Sequence, residues 1–274
     1  MVFFYNVLTM DKKVTMQDVA DAAGVSKSTV SFILNGRDDL RISEQTKKKV
    51  WQVINMLNYR PNLYAKNLRG TKANNVIAFY MDQGLSDLEK LNFYEFFDTA
   101  ANILLESGKR AQLLLDIDRL DNVDAIIAKN LSKEDFSALA GCNFIPVIAA
   151  DCVVNDPIFY EVSIDYPAIK ESADNVLPAG YTYVCSYPKN DLLRQQLLSV
   201  FPDVRFVKCC SDLKELDGKA ILVTEPILQK ALLGIGKEVF CPDGLLERQI
   251  RQILECVSLA VSRETQAKHS FSIS

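Results

Sequence analysis

The stretch VTMQDVADAAGVSKSTVSFILNG, residues 14–36, decides how the first part of the chain folds. Thr15 followed by Asp18 is a capping-box pattern, and the apolar residues behind it are spaced for one face of a short helix. Gly24 ends that helix, and Ser26 caps a second one, which an Asn-Gly pair stops. Two short helices joined by a tight turn predict a helix-turn-helix unit, whose second helix enters the DNA major groove.

Phe32 does not match its neighbours in the second helix. At about 100° per residue, Val30 and Ile33 share the apolar face, whereas Phe32 points to the polar side. Either the ring contacts something outside its helix, or the helix interpretation is wrong. Contact with a thymine methyl group in the groove is one explanation. Packing on another part of the protein when DNA is absent is the other.

A third helix is predicted from the Ser43 cap through residues 44–59, with Trp51 closing a small core. Charge follows the same division. Residues 11–75 hold twelve Lys and Arg against six acidic residues, a net charge of +6, and the rest of the chain has a net charge of −10. This basic segment is typical of a polyanion-binding module, although a solvated charged surface would give the same balance.

Composition limits the class of protein. The 274 residues are 49% hydrophobic, which allows two or three domains. No apolar run reaches the roughly 18 residues that span a bilayer. Seven cysteines without CxxC spacing favour a reduced, cytoplasmic protein, and no metal-site spacing is present. We expect translation to begin at Met10, with residues 1–9 a wrongly assigned extension or a disordered arm.

Together with RISEQTKKKVWQVINMLNYRPNLYAKNLRG, residues 41–70, the first stretch resembles the headpiece of the lactose/purine repressor (LacI/GalR) family of bacterial transcription factors. The similarity runs in order over about sixty positions and includes the elements DVA, AGVS, TVS and LNY.PN. It implies a homodimer that binds a palindromic DNA operator. Recognition helices would lie in successive major grooves, and hinge helices in the central minor groove.

The resemblance assigns DNA contacts by position. Lys27, Ser28 and Phe32 fall where the family reads bases, and Met16 and Gln17 fall near phosphates or base edges. Positions that bind phosphates or support the recognition helix are Ser26, Thr29, Ser31, Asn35, Arg41, Ser43 and Thr46. For each polar residue, a helix cap or a solvated side chain is the alternative interpretation.

Residues 61–73 correspond to the hinge and linker of the family. A hinge helix this short is unstable alone, so we expect it to form only beside its dimer mate on DNA. Leu68 occupies the position that is wedged into the central base step, and the small Ala65 allows close approach to the groove. Packing at a domain junction is the alternative for Leu68. The DNA contacts predicted in this segment and just before it are Tyr59, Asn62, Ala65, Lys66 and Leu68.

From Val76 onward, short apolar runs alternate with helical segments, which predicts parallel sheets buried on both faces. This pattern resembles the two-lobed, periplasmic-binding-protein-like effector domain of the same family. The resemblance implies a multidomain fold, with an all-α helix-turn-helix headpiece and a shortened α/β effector domain of two lobes. The predicted boundaries are an extension at 1–9, the headpiece at 10–60, the hinge and linker at 61–73, and the effector-binding and dimerisation domain at 74–274, with lobe 1 about 74–160 plus 240–262 and lobe 2 about 161–239.

Four residues are candidates for binding a small-molecule effector, a sugar or related metabolite. Asp82 and Asp116 follow strand ends, where open α/β sheets bind ligands. Arg194 is the nearest match to an Arg that faces the sugar in the family, and Glu225 follows a strand at which the family presents an Asp. Each could instead be a cap, a turn residue or a surface charge.

Catalysis is not expected, and neither is a cofactor. The one histidine, His269, lies in a polar C-terminal tail, so a Ser-His-Asp or Cys-His site would depend on it alone. We therefore predict a dimeric transcriptional repressor. The alternative is a regulator whose effector domain binds no sugar and serves dimerisation or the docking of a protein co-regulator.

Overall fold

The computed structural model describes residues 14–34, 42–57, 59, 74–117, 120, 122–143, 145–177, 180–216, 220–262 and 268–274. The chain divides into two compact units, Met1–Lys72 and Ala73–Ser274, which we term the headpiece and the body. The predicted extension at 1–9 and the hinge at 61–73 lie outside the described residues.

The described part of the headpiece contains three helices: α1 (Met16–Ala23), α2 (Lys27–Leu34) and α3 (Glu44–Met56). The predicted capping box of α1 is present, since the Thr15 amide donates to Asp18 Oδ2 over 2.7 Å. Gly24 ends α1 with a φ of 67°, a left-handed conformation that a glycine adopts without strain. Ser26 Oγ accepts the amide hydrogen of Thr29 over 3.0 Å, which confirms Ser26 as the cap of α2.

The headpiece has a hydrophobic core of its own. All three helices contact one another, and Trp51 packs against the core as predicted. The buried members are Val19, Ala20, Ala23, Val30, Ile33, Val50, Val53, Ile54 and Tyr59.

The first sheet of the body contains six parallel strands in the order β10-β5-β4-β3-β1-β2. Its interior is apolar on both faces, because two separate hydrophobic clusters cover it. The strands are β1 (Val76–Tyr80), β2 (Arg110–Leu114), β3 (Ala125–Lys129), β4 (Val147–Ala150), β5 (Tyr160–Ile164) and β10 (Ser270–Ile273). The helices that follow strands in this lobe or return to it are α4 (Asp87–Glu106), α5 (Lys133–Cys142) and α9 (Leu245–Ser262).

The second sheet contains four parallel strands in the order β7-β6-β8-β9. The strands are β6 (Thr182–Ser186), β7 (Arg205–Val207), β8 (Ile221–Leu222) and β9 (Val239–Phe240). The helices between them and before them are α6 (Tyr166–Val176), α7 (Asp191–Val200) and α8 (Pro226–Gly234). The chain passes between the sheets after β5 and after β9, and this two-lobed arrangement of parallel sheets confirms the predicted fold class.

Strand β10 is a feature that the sequence analysis did not anticipate. The segment Ser-Phe-Ser-Ile alternates polar and apolar residues, and it pairs in parallel with β5 at the edge of the first sheet. Phe271 and Ile273 pack against the buried cluster, while Ser270 and Ser272 are exposed. The polar tail around His269 therefore leads into a strand of the first lobe.

The two lobes share hydrophobic contacts. Leu88 belongs to α4, a helix of the first lobe, yet its side chain lies among Val184, Val223 and other buried residues of the second lobe. In the other direction, Val153 follows β4 and packs in the cluster around Tyr183. The first turn of α4 thus contributes Leu88 to the core of the second lobe, while Phe93 and Phe96 farther along the helix belong to the core of the first.

Truncating Leu88 should destabilise the body strongly, because its side chain is 1% exposed at this junction. We expect Leu88→Ala to lower the free energy of unfolding by about 2–5 kcal/mol in urea denaturation. Leu105→Ala is the matched control on the same helix, since Leu105 is 70% exposed and its truncation should change stability little. Equal losses from the two variants would contradict the packing described here.

Candidate functional site

Helix α2 presents a polar face for contact with a partner. Val30 and Ile33 are buried in the headpiece core, so the residues on the other side of the helix face outward. Lys27 and Ser28 are exposed at its first turn, where the free amide groups of a helix N-terminus and a lysine ammonium both attract phosphate. This arrangement suits a helix that inserts its N-terminal end into a DNA groove.

Phe32 lies on the helix that was predicted for it, and its side chain is half-buried. The helix interpretation is therefore confirmed, and the ring is partly covered within the protein. Part of its surface is still accessible. The base contact predicted for Phe32 remains a prediction.

Serine and threonine hydroxyl groups form hydrogen bonds at the N-terminal ends of α2 and α3. Ser26 Oγ lies 2.8 Å from both Ser28 Oγ and Thr29 Oγ1. Ser43 Oγ lies 2.8 Å from Thr46 Oγ1 and accepts the amide hydrogen of Thr46 over 3.1 Å. Ser26 and Ser43 therefore cap α2 and α3, and the hydroxyl groups of Ser28, Thr29 and Thr46 lie within hydrogen-bond distance of these caps.

The other predicted contacts that the structure describes are Met16, Gln17, Ser31 and Tyr59. Met16 packs against the headpiece core, and Gln17 donates from Nε2 to Asp21 Oδ1 over 2.8 Å. Tyr59 is only 8% exposed in that core, where desolvation raises the pKa of its hydroxyl. Ser31 is half-buried on α2. Of these four, Gln17 alone is exposed.

Six of the predicted DNA contacts lie outside the described residues. They are Asn35, Arg41, Asn62, Ala65, Lys66 and Leu68.

Between the lobes of the body is a cavity of about 100 Å³. It lies beyond the carboxyl ends of strands from both sheets, which is where open parallel sheets bind ligands. Apolar side chains from α4 and α9 cover part of it, including Phe93, Phe96 and Leu246. The polar groups that decide its chemistry are Asn92, Lys129, Asp151, Ser186, Glu225 and Gln249.

Lys129 and Asp151 form an ion pair at the ends of β3 and β4. Gln249 of α9 is 2% exposed and donates from Nε2 to Asp151 Oδ1 over 2.7 Å. Lys129 Nζ also lies 4.9 Å from the centre of the Phe96 ring, within the range of a cation–π contact. The charges on this side of the cavity thus neutralise each other.

Glu225, Ser186 and Asn92 form a second hydrogen-bonded cluster at the cavity. Glu225 Oε1 accepts the amide hydrogen of Ser186 over 2.8 Å, and Glu225 Oε2 accepts the Ser186 hydroxyl over 2.6 Å. Asn92 of α4 donates from Nδ2 to Glu225 and to Ser186, which links the first lobe to the second. Burial raises the pKa of the Glu225 carboxyl, although the bonds from Ser186 oppose this shift.

The remaining predicted effector residues do not line the cavity. Asp82 pairs with Lys189 and accepts the Gly84 amide hydrogen over 2.8 Å. Burial raises the pKa of its carboxyl, but these two contacts together outweigh burial, so the pKa is lowered overall. Asp116 is exposed after β2. Arg194 donates to the Pro188 carbonyl over 2.8 Å, pairs with Asp191, and stacks on Tyr187.

Sequence reasoning therefore found Glu225 and missed the residues that face it. Lys129 and Asp151 come at the ends of predicted strands, so the rule that selected Asp82 would have selected them as well. Asn92 and Gln249 lie inside long helices, and their polar side chains gave no signal of an inward orientation.

Two further observations concern the described part of the chain. None of its helices is both long and apolar enough to cross a membrane. Among the same residues, no group of three or more His, Cys, Asp and Glu side chains could hold a metal ion.

The fold and the exposed first turn of α2 define a helix-turn-helix headpiece followed by a two-lobed α/β body. Residues 15–62 match the family model described as bacterial regulatory proteins, lacI family. The match to this family therefore lies in the headpiece.

Relatives are similar over most of the chain but are themselves longer. The sucrose operon repressor of Klebsiella pneumoniae is 26% identical over 176 residues, 62% of this chain and 48% of that protein. The HTH-type transcriptional regulator pepR1 of Lactobacillus delbrueckii subsp. lactis is 30% identical over 177 residues, 60% of this chain and 51% of that protein. The aligned part thus spans about half the length of the curated relatives it matches.

Two solved structures of the lac repressor are similar to parts or most of this chain. The lac repressor bound to ONPG in the repressed state is 15% identical and covers 96% of this chain and 98% of that one, with a TM-score of 0.48. A solution structure of the lac repressor DNA-binding domain on its operator is 43% identical over 22% of this chain and 95% of that one, with a TM-score of 0.19. The architecture of this chain therefore rests on its own strand order.

Replacing Glu225 should change how stability depends on pH. Its pKa in the folded chain is above the ordinary 4.5, so its contribution to stability is fully present at low pH and is lost as pH rises through the folded-state pKa. We expect wild type to lose stability relative to Glu225→Gln as pH rises from about 4.5 toward neutral, measured by urea unfolding at several pH values. The exposed Glu171→Gln is the control, and a constant difference between wild type and Glu225→Gln would contradict the shift.

Proposed function

We propose that the chain is a sequence-specific DNA-binding transcriptional regulator that acts as a dimeric repressor on a palindromic operator. The observation that carries this proposal is the lacI-family headpiece, whose helix α2 leaves Lys27 and Ser28 exposed at its N-terminal turn. In the proposed complex, α2 of each protomer lies in the major groove. Hinge helices from residues 61–73 lie in the central minor groove, with Leu68 as the wedge.

The proposed base contacts give this regulator a preference of its own. Lys27 and Ser28 supply a cation and a hydroxyl at the groove, whereas Phe32 supplies an apolar ring. A phenyl ring cannot donate a hydrogen bond to guanine, but it can contact the methyl group of thymine. We therefore expect a thymine opposite Phe32 in each half-site.

The charge distribution supports the same division of labour. Residues 11–75 have a net charge of +6 and the rest of the chain has a net charge of −10. DNA attracts the first segment and repels the second, which confines contact to the headpiece and hinge. The proposed domains are accordingly a headpiece to residue 60, a hinge and linker at 61–73, and a body at 74–274. We also propose a cytoplasmic location, where the seven free cysteines would stay reduced.

A small-molecule effector is the first hypothesis for control. One relative is named a sucrose operon repressor, and a sugar or related metabolite between the lobes would fit that pattern. The cavity favours a second candidate. Its volume is about 100 Å³, whereas pockets for small molecules typically measure about 300–1,000 Å³, and its polar groups already bind one another. In this second candidate, the body binds no sugar and serves dimerisation or the docking of a co-regulator.

Neutralising Lys27 should weaken DNA binding. We expect Lys27→Met to reduce affinity for a duplex selected by the wild-type chain, measured by fluorescence anisotropy across a range of salt concentrations. If Lys27 meets a phosphate, the salt slope falls by about one unit; if it meets a base, preference at one base pair falls by about 1–3 kcal/mol. Lys268→Met, in an exposed part of the body, is the control. Unchanged affinity for Lys27→Met would remove Lys27 from the interface.

The two hypotheses for the body differ in a thermal-shift experiment on the full chain. The second candidate predicts no rise in Tm with sugars, nucleobases or phosphorylated metabolites at millimolar concentrations. A ligand that binds only the folded state stabilises it by RT ln(1 + c/Kd), where c is the free ligand concentration, so Tm would rise with the logarithm of that concentration once it exceeds Kd. A concentration-dependent rise with one sugar would contradict the second candidate and support effector control.

A further inference from the structure

We infer that Lys189 and Asn190 form a latch that holds the two lobes of the body closed in the absence of a ligand. The dipeptide lies in the second lobe, between β6 and α7, and both of its residues bind the loops that follow strands of the first lobe. This inference concerns the body alone and does not depend on DNA binding.

Asn190 is the buried part of the latch. Its side chain is 1% exposed, and Oδ1 caps α7 by accepting the Leu193 amide hydrogen over 3.0 Å. The two hydrogens of its Nδ2 go to the first lobe, to the carbonyls of Leu131 at 3.3 Å and Val153 at 3.2 Å. Nδ2 also lies 3.6 Å from Cys152 Sγ, so this buried amide group would lose all of these first-lobe partners if the lobes separated.

Lys189 adds a charged contact and a backbone contact beside it. Its ammonium group pairs with Asp82, at the carboxyl end of β1, and both side chains are about one-fifth exposed. Its amide group donates to Asn130 Oδ1 over 3.0 Å. Because the pair is partly shielded from water, it is worth more than a surface ion pair.

The loops of the first lobe are shaped to meet the latch. Asn130 and Asp151 have φ angles of 53° and 48°, a left-handed conformation that Asn and Asp adopt more readily than other residues with a side chain. Each follows directly after a strand, β3 or β4, and the left-handed turn leads into the segments that present the Leu131 and Val153 carbonyls. These turns place both carbonyls within hydrogen-bond distance of Asn190 Nδ2.

The latch works together with other contacts across the cleft. Asn92 of α4 binds Ser186 and Glu225 of the second lobe, and Lys230 Nζ lies 2.8 Å from Glu95 Oε1. Leu88 adds buried apolar area at the same junction. With polar and apolar groups already paired, the closed body needs no ligand to bridge the lobes. A ligand could shift the body only by binding an open state more tightly than the closed one.

Amide hydrogen exchange on the ligand-free full chain tests the latch directly. The Lys189 amide hydrogen is itself bonded across the lobes, so its exchange rate reports opening. We expect it to be protected in wild type. Asn190→Ser keeps a side-chain oxygen to cap α7 but loses the two donors to the first lobe, and we expect it to raise Lys189 exchange about tenfold or more.

Asp82→Asn is the second variant, because it removes the charge opposite Lys189 from a half-buried site without truncating the core. It should also raise Lys189 exchange, whereas Asp174→Asn, which removes the partner of Lys170 within α6, should not. Amides of β1 and β6 should keep their protection in every variant. The latch is overturned by an unprotected Lys189 amide in wild type, by no change in the two variants, or by equal loss of protection in β1 and β6.

Discussion

The buried side-chain amide of Asn190 imposes the constraint on which the form of the body depends. Both hydrogens of this group need acceptors away from water. The acceptors are the Leu131 and Val153 carbonyls of the opposite lobe. The chain satisfies them by bringing together the carboxyl ends of two parallel sheets. What remains between the sheets is a cavity of about 100 Å³, in which Lys129 and Asp151 form an ion pair.

The body is closed by its own residues. It therefore differs from an effector domain that changes state only when a sugar binds. In the proposed DNA complex, the exposed first turn of α2 meets the major groove, and the headpiece supports this helix on a hydrophobic core of its own. Control through the body requires two states of different free energy and a ligand that distinguishes them. Here the closed state already has hydrogen bonds, ion pairs and apolar contacts across the cleft, so any control must begin by breaking them.

The sequence predicted elements better than it predicted the contacts between them. Helix caps such as Ser26 are local, because residue and amide are three positions apart, and strands such as β1 are continuous apolar runs; both were predicted correctly. Strand β10 was missed, since its alternating pattern is short and resembles a polar tail. Of four proposed effector residues, only Glu225 lines the cavity, because the orientation of Asp82 and Arg194 depends on partners that the sequence does not place beside them.

Selection of bound sequences from random duplex DNA by the full chain tests the central claim most directly. We expect the selection to recover one two-fold symmetric site without any added metabolite. Each half-site should carry a thymine opposite Phe32. Recovery of no common sequence, or of one only when a small molecule is supplied, would contradict a DNA-binding regulator whose body is closed by its own residues.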